Sequence, residues 1–156
     1  MSDCVAIVGS REGANLDHVE GFVADLWRKF PDTTLISGGA PGVDQAAEKC
    51  WLEFGGKVKS LRPVKIDTLA NGDESWGIEC WELGGDAPRM YRLVNELTFG
   101  NFQSAAIYRD ILIAEAADRV VSFMRSGGSR GAGFTAEMAE FAYEKPTYRY
   151  VAERAV

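Results

Sequence analysis

Short runs that are apolar or rich in β-branched residues alternate with longer stretches in which apolar residues recur every three or four positions. Cys4 to Val8, Thr33 to Ser37, Lys57 to Leu61, Arg119 to Met124 and Thr147 to Val151 are of the first kind and read as strands. Val19, Phe22, Val23, Leu26 and Phe30 mark a helix opened by Asn15 or Asp17 and stopped by Pro31-Asp32. Asp44 to Phe54, closed by Gly55-Gly56, Gln103 to Ala117, and Thr135 to Glu144 read as further helices. From Pro63 to Phe102 the pattern weakens, with Asn71-Gly72, Gly84-Gly85 and Pro88 breaking it. A short helix over Met90 to Leu97 is the only element expected inside this irregular, aromatic-rich insertion at about 63–102. The alternation predicts one domain over residues 1–156. Its fold class is α/β, a three-layer Rossmann-like sandwich around a parallel sheet of about five or more strands in the order 3-2-1-4-5.

Three glycine-rich turns follow strand-like runs and open helices. They are Gly9-Ser10-Arg11-Glu12-Gly13, Ser37-Gly38-Gly39-Ala40-Pro41-Gly42-Val43-Asp44, and Gly127-Gly128-Ser129-Arg130-Gly131-Ala132-Gly133-Phe134-Thr135. In a sheet wound from βαβ units all such turns leave the carboxyl edge, and the first and third flank the point where strand order reverses. Helix N-termini present unpaired N–H groups and partial positive charge, and glycine admits a ligand close to the backbone. The expected ligand is anionic, a nucleotide or nucleotide-derived molecule. Neither a full GxGxxG fingerprint nor a GxxxxGK[ST] loop is present, which disfavours ordinary dinucleotide and P-loop chemistry.

Each candidate has two readings. Gly9 is a phosphate approach or simply a tight turn; Ser10 and Arg11 are phosphate donors or a cap and a solvated charge. Ser37, Gly38, Gly39 and Gly42 shape the second turn, and Asp44 is a partner for ribose or base, or the helix N-cap. Arg109 is a bidentate phosphate clamp or half of a surface ion pair. Gly127, Gly128, Arg130, Gly131, Gly133 and Thr135 form an anion nest or a flexible loop ending in a Thr cap. Glu137, one turn into the expected helix, is a general acid or base, or a complement to the helix dipole.

Net charge is −6 with scattered lysines and arginines, an expectation against nucleic acid as partner. Three cysteines without CxxC spacing and one histidine give no zinc signature, so neither metal nor cofactor is expected. No signal-peptide pattern or membrane-length apolar run is present, and a cytoplasmic location is expected.

With these residues the chain resembles the SLOG superfamily of Rossmann-like nucleotide-binding proteins, nearest its YAcAr-type branch. It is more distantly similar to the LOG proteins long described as lysine decarboxylase-like, and to the DprA-like branch. The resemblance rests on Gly9-Ser10-Arg11, Ser37 through Asp44, Ala106-Ile107-Tyr108-Arg109-Asp110, Asp118, and Gly127 through Thr135. It implies nucleotide binding by a homo-oligomer, a dimer or tetramer. In the LOG branch it implies cleavage of the N-glycosidic bond of nucleoside 5′-monophosphates, with Arg109 and Glu137 as the matching catalytic pair. Ser126 stands in place of that motif's proline, the turn is longer around Ser129 to Gly131, and Phe134 occupies the threonine position. The favoured expectation is therefore a nucleotide sensor or carrier without turnover, the alternative a LOG-like phosphoribohydrolase, with DNA binding ranked third.

Overall fold

The run Cys4–Gly9 is buried along its middle and forms the central strand β1 of a computed structural model describing residues 3–85, 89–93, 98–127 and 130–152. Its neighbours are β2 (Thr34–Ser37) and β6 (Arg119–Met124), both parallel to it. Outside them run β3 (Lys57–Thr68), parallel to β2, and β7 (Thr147–Val151), parallel to β6. The central five strands thus follow the expected order 3-2-1-4-5. Two further strands, β4 (Glu74–Leu83) and β5 (Arg89–Leu93), extend the sheet antiparallel beyond β3, giving β5-β4-β3-β2-β1-β6-β7.

Side-chain alternation along β1 supplies two cores. Val5 and Ile7 point to one face, where α1 (Leu16–Lys29) and α2 (Val43–Glu53) bury Val19, Val23, Ala47 and Trp51 against Leu35 and Val58. Ala6 and Val8 point to the other, against Ile113 and Ala114 of α3 (Phe102–Ala116) and Ala132 of α4 (Arg130–Glu137). A π-helical turn, Met138–Ala142, continues α4. Asn15 caps α1 through its side chain, accepting from the N–H of His18 at 3.1 Å, and Asn101 caps α3 in the same way, accepting from Ser104 at 2.8 Å. Among the described residues no helix is long and apolar enough to cross a membrane.

The segment 63–102 departs from expectation. Instead of an irregular insertion it supplies the rest of β3 and all of β4 and β5, and Met90 to Leu93 lie in a strand rather than a helix; residues 94–97 lie outside the described residues. Cross-strand pairing satisfies the backbone here, so a period-2 signal diluted by glycine and proline is enough.

Candidate functional site

Because β1, β2 and β6 are parallel, the three glycine turns leave one edge of the sheet, and they touch one another. Ser10 is the pin. Its N–H donates to the Phe123 carbonyl at 3.0 Å, its carbonyl accepts from the N–H of Val43 at 3.2 Å, and its buried hydroxyl accepts from the N–H of Arg125 at 2.8 Å. The hydroxyl expected on a phosphate instead ties the first turn to the third. Gly9 is required by packing: a Cβ there would lie 2.3 Å from the Phe123 carbonyl oxygen and 2.5 Å from the Val43 side chain. Gly42 has φ +89° and sits against the carbonyls of Ser10 and Arg11, 2.5 and 2.4 Å from where a Cβ would be. Ser37 accepts from the N–H of Gly39 at 3.2 Å, which shapes the second turn. Arg11 stands exposed on the rim, its guanidinium carbon 5.6 Å from the Phe102 ring centroid.

Beneath the turns lies a buried charge cluster. Asp44 is only 5% exposed and is not the N-cap of α2, a place taken by Gly42. Its two carboxylate oxygens accept from the N–H of Gly9 at 3.2 Å and of Ala40 at 3.3 Å, joining the first two turns. Burial pushes its carboxyl up to about 7, against the opposing pull of the Arg109 guanidinium and the Ala40 amide. Arg109, 7% exposed, donates from Nη1 to the carbonyl oxygens of Gly38 (2.5 Å) and Leu61 (3.4 Å) and from Nε to Asp110 (2.8 Å). Leu61 is the first β3 residue past the last pair with β2, Ser37–Ser60. The guanidinium therefore fills the gap that opens where β2 turns away. Arg109 is neither an open phosphate clamp nor a surface ion pair, because its Nε and Nη1 already satisfy buried backbone and a buried carboxylate. Burial likewise raises the Asp110 carboxyl to about 6, opposed by Arg109 and by a hydrogen bond with Thr135.

The third turn begins with Gly127 at φ +89°; Gly128 and the side chain of Arg130 lie outside what is described. Helix α4 starts at Arg130, five residues before the expected Thr135. Gly131 and Gly133 thus lie in its first turns. Thr135 is mid-helix and buried, donating back to the Gly131 carbonyl at 3.1 Å. The earlier start also moves Glu137 two turns from the rim, roughly 10 Å along the axis, where it is solvent-exposed. It does not meet Arg109, so the expected catalytic pair is not assembled.

A second buried cluster escaped the sequence reading. Glu48, 5% exposed, accepts from Ser60 Oγ at 2.6 Å and Arg62 Nη2 at 3.1 Å, and Arg62 lies 5.2 Å from the Trp81 ring centroid. Glu48 follows Asp44 by four residues on one helix face, a signal present in the sequence. Arg62 lies just beyond the expected end of its strand at Leu61, so its placement needed the longer β3. These groups border an open groove of ≈ 450 Å³ along α2, lined among others by Gln45, Glu48, Arg62 and Leu83.

No protein-family model matches the chain, and no curated protein matches its sequence. Solved structures do. DNA processing protein A from Helicobacter pylori, described for its single-stranded DNA binding mode, superposes with a TM-score of 0.65 at 20% identity, covering 97% of this chain and 66% of that one. DNA processing protein A (DprA) from Streptococcus pneumoniae gives 0.66 at 20% identity over 95% and 50%. The chain has a DprA-like Rossmannoid fold. The structural-genomics target TM1055 gives 0.56 at 21% identity, over 94% and 72%. This chain spans between half and about two thirds of the length of the two DNA processing proteins. The expectation against nucleic acid is corrected by these neighbours: a net charge of −6 describes the whole surface, whereas phosphate is met by a local one.

Proposed function

We propose that the protein binds nucleotide phosphate at the rim formed by the three glycine turns, with single-stranded DNA as the ligand, and does so without turnover. The observation that carries this reading is the meeting of the turns at one edge, locked by Ser10 and Asp44, with Arg11 exposed upon it. Helices α2 and α4 both begin at that edge. Although the Val43, Gln45 and Ala46 amides of α2 are taken by the carbonyls of Ser10, Ala40 and Gly42, the partial positive charge of helix N-termini favours anionic oxygens there. The fold shared with proteins that process DNA supports a polymeric ligand over a free mononucleotide. Separation of Glu137 from the buried Arg109 speaks against the phosphoribohydrolase alternative. The YAcAr-type assignment within the SLOG superfamily, resting on the Ser37–Asp44 and Ala106–Asp110 motifs, belongs to this proposal. So does a cytoplasmic setting, which suits the free thiols of Cys4, Cys50 and Cys80. A homo-oligomer completes it, with exposed Phe141, Tyr148 and Val151 near the β7 edge as its apolar contact.

Fluorescence anisotropy with a labelled oligothymidylate tests the reading. Binding at low salt is expected, with log K falling by about 0.7 per phosphate contacted for each unit of log salt. Calorimetry with adenosine monophosphate and an assay for released base run in parallel. No binding of either ligand overturns the proposal, and release of free base restores the hydrolase.

A further inference from the structure

Strand β3 does not stop where the sheet does. Its last partner on β2 is Ser60, yet it runs on to Thr68, eight residues or about 26 Å of extended chain. Over that length it pairs with β4, from Leu61–Cys80 out to Thr68–Glu74. Opposite Leu61 and Arg62, β5 still pairs with β4; from Pro63–Ile78 outward the result is a two-stranded arm rising past the edge from which the glycine turns emerge. An isolated two-stranded ribbon is marginal in water, and aromatic residues anchor this one. Trp76 exchanges backbone hydrogen bonds with Phe99 at 2.7 and 2.8 Å, and its ring meets Phe102 edge-on at 5.4 Å.

Two cations accompany these rings. Lys65 Nζ lies 5.7 Å from the Trp76 ring centroid, and Arg11, from the first glycine turn, lies 5.6 Å from that of Phe102. Arg11, Lys65 and Phe102 are all exposed, and Trp76 is half-buried. The order along the surface is cation, aromatic, aromatic, cation, beginning at the rim and climbing the arm. Glu74 accepts from the indole N–H of Trp76 at 2.7 Å and pairs with Lys65 at 3.6 Å, fixing the indole beside the cation.

We infer that this strip, Arg11–Phe102–Trp76–Lys65, is a second contact track that takes the bases and phosphates of a single-stranded nucleic acid leaving the rim. Cations placed beside stackable rings along a groove are what a single strand requires: phosphates meet the charges and bases stack on the rings without sequence preference. The inference rests on the proposed binding of nucleotide phosphate at the rim, and the length of the ligand separates the two.

The test measures anisotropy for the full chain with oligothymidylates of about four and about sixteen nucleotides. The rim alone accommodates the short ligand; the arm adds affinity only for the long one. Lys65→Ala, a surface change, is expected to leave the short ligand unaffected, weaken the long one several-fold, and lower its salt slope by about 0.7. Trp76→Phe keeps an anchoring ring and is expected to abolish most of the tryptophan quenching caused by the long ligand. Phe102→Ala is expected to weaken the long ligand about tenfold, its folding checked by circular dichroism. Equal affinity of wild type and Lys65→Ala for the long ligand, with quenching unchanged in Trp76→Phe, overturns the track while leaving the rim standing. Failure of both lengths to bind overturns the two together.

Discussion

Replacing Arg109 with methionine is the sharpest probe of the rim, because it removes a charge and three hydrogen bonds while keeping most of the buried volume. The guanidinium serves the carbonyls of Gly38 and Leu61 and the carboxylate of Asp110, and faces the raised carboxyl of Asp44. Leaving a buried carbonyl without a donor costs about 1–3 kcal/mol, the weak 3.4 Å contact to Leu61 contributing least. Breaking a buried ion pair costs about 3–5 kcal/mol, a figure that overlaps the first. A loss of about 4 kcal/mol at pH 8 is therefore expected, read by urea denaturation. Arg109 lowers the carboxyls of both Asp44 and Asp110, so without it both bind protons more tightly in the folded state. At pH 5, below their values of about 7 and about 6, both are neutral and only the carbonyl cost of about 1–2 kcal/mol remains. The destabilisation should shrink as pH falls. A loss under about 1 kcal/mol at pH 8, or one that grows toward pH 5, refutes the account of Arg109 as an internal stitch; lost DNA affinity with stability intact would return it to the ligand.

Three further outcomes follow from the same geometry. The folded Asp44 carboxyl, at about 7 against an ordinary 3.8, binds a proton more tightly than the unfolded chain does. Its stabilising share is present below pH 4 and lost as pH rises through 7, so Asp44→Asn should flatten the stability–pH curve by up to roughly 4 kcal/mol over that window; an unchanged slope counts against it. Gly42→Ala forces a side chain into φ +89° against two carbonyls and should lower stability by at least about 2 kcal/mol and abolish DNA binding, a result that a wild-type melting curve would contradict. Glu137→Gln should leave stability and anisotropy titrations unaltered, since the carboxylate is exposed two turns from the rim; a marked loss of binding would place it back at the site.

Local signals along the chain were enough for the parallel core, its strand order and the gathering of the glycine turns. Buried strands read as apolar runs, helices as a 3.6-residue period, and right-handed connections then leave few ways to wind the sheet. The arm was less legible: proline and glycine blur the pattern of β3 and β4, and pairing with a distant strand decides what they form. The start of α4 was missed because Gly131 and Gly133 have low helix propensity, while packing of Ala132 and Thr135 against the sheet and α3 overrides it. Only the tertiary structure could show that Ser10, Asp44 and Arg109 turn inward. A polar side chain beside a glycine turn carries the same letter whether it meets a ligand or a buried amide. Which it meets is settled by what the opposite turns, 35 to 115 positions away in the chain, leave unsatisfied.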